Sequence, residues 1–195
     1  MRPRGRIVNV WREASGSLTR NKMFKDERYH AACHEAAHAV ACLLLGQGFD
    51  RIQLQDQPRM VHGIPGVSMG QFIPTSEKVY GYEGRCVEAQ ISLAGLAFEK
   101  LLRPSLTWFA LALGQCRGDF DQALEWTRRA LDNSREAEPF MLRVLLPPVR
   151  EVLVSHWGAI AEIGRVLAER GKLSQPEVVA ILEDVRPKRS SPAFA

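Results

Sequence analysis

The residues best suited to chemistry in this 195-residue chain are His34-Glu35-Ala36-Ala37-His38, an HExxH pattern. On a helix, two histidines four residues apart stand only about 40° apart around the axis, so both imidazoles reach one cation. Glu35 then lies beside the water that such a metal activates. With 5 His and 15 Glu in the chain, the pattern would arise by chance about 1% of the time. Its surroundings say more. From Ala31 to Leu45 the only strongly polar side chains are His34, Glu35 and His38, the rest being Ala, Cys, Val or Leu. A helix apolar all round is a buried helix. Burying a carboxylate and two imidazoles costs several kcal/mol unless each finds a partner, and a divalent cation partners all three. The alternative is a core helix with hydrogen-bonded histidines.

A catalytic zinc takes three protein ligands and leaves one position open. The other histidines are His30, His62 and His156, and no HExxHxxGxxH extension follows the motif. The best third ligand is Asp119, which heads an amphipathic pattern and stands at the margin of its apolar face. At that position it could equally be an N-cap.

The elements that must carry these residues follow from periodicity. Asp26 is an N-cap for a helix reaching Leu45, with Gly46 just past its end. Ile52 and Leu54 alternate with Gln53 and Gln55, and a Pro- and Gly-rich stretch leads to Val67–Ile73, which reads as two short strands with an irregular connection. Helix is predicted from Glu83 to about Leu102, with Pro104 ending it, and from Asp119 to Leu131. Residues 105–117 read as an apolar connection in which Trp108, Phe109, Leu111 and Leu113 fit ordinary core packing better than a subsite or partner patch. Glu138–Val154 is helical with a break at Pro147 and Pro148, Trp157–Arg170 continues it, and Ser174 caps a last helix from Gln175 to Asp184. The fold class is mainly α (α+β), helices with a small β hairpin or sheet. The cysteines (Cys33, Cys42, Cys86, Cys116) read as small core residues, His62 as an exposed loop residue, and His156 and Trp157 as helix packing.

Composition narrows the classes. The apolar fraction of 46% and charged fraction of 25% exclude a disordered or collagen-like chain. The net charge of +4 invites a nucleic-acid reading. By position, however, residues 1–25 carry +6 and residues 185–195 carry +3, so the span between them is −5. The organisation expected is a basic arm (1–25), a folded domain (26–184) and a basic tail (185–195), with nucleic acid disfavoured as a partner. No CxxC pair and no signal-peptide-like start are present, which points to a reducing, cytoplasmic setting. The longest apolar runs, Ala36–Leu45 and Leu106–Leu113, are far below the roughly 18 to 20 residues that span a bilayer, so no membrane partner is expected.

Four blocks in order carry a resemblance. His34-Glu35-Ala36-Ala37-His38-Ala39-Val40, Leu93-Ala94-Gly95-Leu96-Ala97-Phe98-Glu99, Gly118-Asp119-Phe120-Asp121-Gln122-Ala123 and Leu173–Leu182 resemble the successive motifs of the peptidase domain of FtsH-type ATP-dependent zinc proteases. The similarity runs from about Asp26 to Asp184. It implies a zinc metalloendopeptidase acting on unfolded or flexible polypeptides, with Zn²⁺ on His34, His38 and Asp119 and with Glu35 as the catalytic glutamate. It also implies that an extended peptide lies beside the 52–74 segment, at Gly66, Val67, Ser68, Met69, Gly70, Gln71 and Phe72. Three departures stand out. Ala37 replaces the usual Gly, Leu124 replaces the usual Thr, and the connection from Glu99 to Asp119 is longer than usual. No GxxxxGK[ST] loop occurs, so unfolding of substrates would fall to a separate unfoldase or adaptor, and an oligomer is compatible with the family. The rival expectation is a catalytically silent metal-binding interaction or regulatory module derived from such a peptidase.

Overall fold

Asp26 starts the first helix as its type predicts: its carboxylate accepts the Tyr29 N–H at 3.0 Å, and helix α1 runs Glu27–Leu44. The helix ends where Gly46 takes φ +74°, a left-handed conformation that a side chain would strain. The computed structural model describes residues 26–55, 60–61, 64–65, 70–74, 81–114 and 116–185. After α1 come β1 (Phe49–Leu54), the two-residue strands β2 (Met60–Val61) and β3 (Ile64–Pro65), and β4 (Gly70–Pro74). Helices α2 (Tyr82–Leu102), α3 (Trp108–Leu113) and α4 (Arg117–Ala130) follow. The chain then passes through α5 (Ala137–Phe140), a π-helical segment (Met141–Leu145), α6 (Leu146–Ser155), α7 (Trp157–Arg170), β5 (Lys172–Ser174) and α8 (Gln175–Val185). The chain is mainly helical with a small antiparallel sheet, as expected from its periodicity.

The apolar run of α1 makes it the central helix. Ala32, Cys33, Ala36, Ala37, Ala39 and Val40 are fully buried, with α2 on one side and α7 on the other. Such small side chains allow close helix approach, and Gly164 of α7 shows how close: a Cβ there would sit 2.4 Å from the Cys33 Sγ. Two hydrogen bonds fasten the start of α1 to α7, from the Tyr29 hydroxyl to the Ala161 carbonyl (3.1 Å) and from Arg28 Nε to the Ala168 carbonyl (2.7 Å). Phe98 of α2 stacks on Trp157 of α7 at 5.5 Å, so Trp157 is a packing residue.

The main sheet has the order β4-β1-β5, with both pairs antiparallel. Register aligns Ile52 with Phe72 on one side and with Leu173 on the other, a row whose Ile52 and Leu173 are fully buried. β4 is an edge strand: among the described residues its outer side has no strand partner. The strand β5 was not predicted, because three residues between a helix and a cap carry too little alternation to read. Ser174 caps α8 in an inverted sense, its N–H and hydroxyl both donating to Glu177 Oε2 at 2.8 and 2.7 Å.

Two further expectations change. Pro147 and Pro148 do not break the helix. They lie in the first turn of α6, just after the π-helical segment, where the altered hydrogen-bond register absorbs the N–H groups they lack. The 105–117 connection contains a helix, α3, opened by Thr107, whose hydroxyl accepts the Ala110 N–H. Core packing holds there for Leu111, whereas Phe109 (72% exposed) and Leu113 (61%) face outward. A six-residue helix has only one side against α2 and α4, and its remaining apolar side chains are left on the surface. The basic arm, the basic tail beyond Val185 and His62 lie outside the described residues.

Candidate metal centre

Three elements bring the candidate ligands together. His34 and His38 lie on one face of α1. Asp119 is the third residue of α4, whose N-cap is Cys116, so it is not the helix cap. α2 crosses between them with Gly95 at the crossing. A Cβ at Gly95 would meet Asp119 Oδ2 at 2.3 Å and His34 Nε2 at 2.5 Å, so this glycine makes the space in which the three side chains meet.

Their geometry is that of one face of a coordination polyhedron. His34 Nε2 lies 3.0 Å from Asp119 Oδ2, His38 Nε2 lies 3.5 Å from it, and the two ring nitrogens are 3.3 Å apart. A tetrahedral zinc with ligands at about 2.0–2.1 Å requires ligand-to-ligand edges of about 3.3 Å. Asp119 Oδ2 is buried and has no aligned hydrogen-bond donor despite its short distance to His34. A buried carboxylate oxygen in that condition is expensive unless a cation completes it. Two imidazole nitrogens and one carboxylate oxygen also suit zinc by ligand type. The residues therefore fit a divalent metal.

The electrostatics agree. Burial alone would push the Asp119 carboxyl up, but His38 and His34 override it and hold it well below the usual carboxylate range. Burial works against a charge on either imidazole, yet Asp119 together with Glu99 raises the pKa of His34 strongly, and Asp119 together with Glu35 raises that of His38. The metal-free cluster therefore shares protons among its donors, and a cation would displace them on binding. Each ring has its own anchor. His38 Nδ1 donates to the Ile91 carbonyl at 2.8 Å, which leaves its Nε2 lone pair for a ligand. His34 Nδ1 faces Glu99 Oε1 at 3.7 Å, and His30 Nε2 touches that same oxygen at 2.7 Å.

Glu35 is 7% exposed and lies under the edge strand. A Cβ at Gly70 would come within 2.5 Å of its Oε1. Burial raises its pKa against the pull of His34 and His38. Phe72 stacks on His38 at 6.0 Å, so β4 forms a wall of the site. Of the predicted peptide-contacting residues, Gly70, Gln71 and Phe72 form the start of β4, while Gly66, Val67, Ser68 and Met69 lie outside the described residues.

Three participants escaped the sequence reading. Glu99 is 1% exposed, and its carboxyl, which burial alone would raise, is held to about 2 by His30 and His34. The only signal for it was a lone carboxylate at the end of the apolar run Ile91–Phe98. His30 stands one turn before His34, a spacing legible in advance but without a named partner. Cys116 is fully buried in the core, as read, and also borders the site: its Sγ groups with donor atoms of His34 and Asp119, all within 4.8 Å of one another. That grouping is looser than the His34–His38–Asp119 triangle, and burial pushes the Cys116 thiol up to about 12, so the two histidines and the aspartate are the better ligand set.

No helix among the described residues is long and apolar enough to cross a membrane. In comparisons with known proteins, the chain matches no family model and no curated protein.

Proposed function

We propose that this protein is a zinc-dependent metalloendopeptidase, similar to the peptidase domain of FtsH-type proteases, that hydrolyses unfolded or flexible polypeptides and needs no ATP for the cleavage itself. The observation that carries this reading is the triangle of His34, His38 and Asp119 donor atoms, 3.0 to 3.5 Å apart, with the Glu35 carboxylate beside it and an edge strand over it. Zinc held by these three residues would supply Lewis acidity toward water and toward a scissile carbonyl. Glu35 would take the proton from the attacking water and deliver it to the leaving amine, a task favoured by its raised pKa. β4, which has no further strand on its outer side among the described residues, would align an extended peptide by backbone hydrogen bonds across Glu35. A cytoplasmic setting and a separate unfoldase or adaptor belong to the same proposal.

The test is metal analysis of the purified protein together with turnover of unfolded casein. Stoichiometric zinc is expected, and Glu35→Gln should lower the cleavage rate by about 10²- to 10⁴-fold while keeping its metal. Casein cleavage by Glu35→Gln at the unaltered rate would remove Glu35 from the mechanism.

Cys116 favours a second reading. Were its thiol to join His34, His38 and Asp119 as a fourth ligand, the metal would be closed off and structural, and the protein a silent binding or regulatory module. Metal retention with no turnover, and gain of turnover in Cys116→Ala, would favour it.

A further inference from the structure

His34 and His38 are held by different means. The His38 ring is fixed by a direct hydrogen bond to a main-chain carbonyl of α2, an acceptor that cannot move without the helix. The His34 ring faces a side chain, Glu99, across 3.7 Å, too far for a hydrogen bond. A carboxylate at that distance orients an imidazole only if it is itself held in place. Its nearest partner is His30, whose Nε2 is 2.7 Å from the Oε1 that faces His34, a close polar contact rather than an aligned hydrogen bond; Arg103 Nε stands 3.7 Å from the other oxygen. His30 and His34 are one turn apart on α1, so both reach the same carboxylate. Phe98 packs against both rings, at centroid distances of 6.0 and 6.3 Å, and leaves them little room to turn.

We infer that His30 is a positioning residue for the metal ligands: it pins Glu99 Oε1 against the Nδ1 side of His34 and thereby keeps the His34 Nε2 in the donor triangle. The inference rests on the reading of His34 as a ligand. Its chemistry is that of outer partners in metal sites, which fix the tautomer and orientation of a ligating ring and whose loss costs about 10- to 100-fold in affinity. His30 acts through Glu99, so the two residues form one unit.

The experiment measures zinc affinity by competition with a chromophoric chelator, and the visible spectrum of the Co²⁺-loaded protein, for the unaltered chain, His30→Ala, His30→Gln, Glu99→Gln and the double variant His30→Ala/Glu99→Gln. His30→Ala is expected to bind zinc about tenfold more weakly and to shift the cobalt bands. His30→Gln, whose amide can offer an N–H to Glu99 from the same position, should restore most of the affinity. In the double variant the His30 change should add nothing to the Glu99 change, as for two residues acting through one contact. Equal zinc affinity and an identical cobalt spectrum in His30→Ala would overturn the inference, even if its metal-free melting temperature fell, since that pattern is purely structural. Tighter binding in His30→Ala, or additive losses, would overturn it too. Failure of the unaltered chain to bind zinc or cobalt would bring down the metal-centre reading itself and this inference with it.

Discussion

The two sides of α1 use the same device for opposite ends. Toward α7, Cys33 packs over Gly164, and the missing Cβ is filled by the thiol and backbone of α1 in plain apolar contact. Toward α2, His34 packs near Gly95, and the missing Cβ leaves room for a cluster of donor atoms from α1 and α4. Both glycines let helices approach closely. Only the side chains opposite decide whether the space becomes core or site. The first arrangement stabilises the fold by burying apolar area. The second places charged groups at half-buried positions and depends on a partner to offset their desolvation.

Substitutions at the two glycines separate these roles. Gly95→Ala should have the largest effect: its methyl would overlap Asp119 Oδ2 and the His34 ring, and zinc affinity should fall by about 100-fold or more, read by chelator competition. The metal-free melting temperature should change less than the affinity, because alanine gains helix propensity there and the Asp119 carboxylate it meets is the end of a side chain rather than backbone. Gly164→Ala should do the reverse. Its methyl would lie 3.0 Å from the Cys33 Cα, which is backbone and cannot yield cheaply, so a loss of about 1–3 kcal/mol is expected in denaturant unfolding, with zinc affinity unchanged. If both variants lost metal and stability in the same proportion, the division between the two sides of α1 would fail.

A smaller effect concerns pH. The Glu99 carboxyl is held at about 2, below its usual 4.5. A depressed carboxyl stabilises the fold fully above its ordinary value, and that contribution drains away as pH falls from about 4.5 towards 2. In metal-free protein, Glu99→Gln should therefore flatten the acid limb of the stability curve by about one proton in that window, measured by urea unfolding at stepped pH. An unchanged acid slope would mean that His30 and His34 do not lower Glu99.

Much of this was legible beforehand for local reasons. The helix carrying His34, Glu35 and His38 announced itself by an apolar run with an N-cap and a left-handed glycine at its ends, all set within a few residues. Asp119 was a candidate because it sits at the edge of a clear amphipathic stripe, where it could equally have been a cap; the structure brings it beside both histidines. Glu99, His30 and Cys116 were not joined to the site, because their partners lie far along the chain or on another helix. α3 and β5 were missed for a related reason: each is too short to show a period, and packing against α2 and α4 or pairing with β1 fixes them. The exposed Phe109 and Leu113 could not be told from buried neighbours, since apolar type does not say which side of a short helix is covered.

The sequence by itself determined the helical class, the central helix and the placing of two histidines on one face of it, since side-chain type and spacing act over one or two turns. Only the tertiary structure decided that Asp119 reaches them, that Gly95 makes room for all three, and that His30 and Glu99 lie behind His34. Those distances depend on how α1, α2 and α4 cross, and the crossing is set by the packing of the whole core.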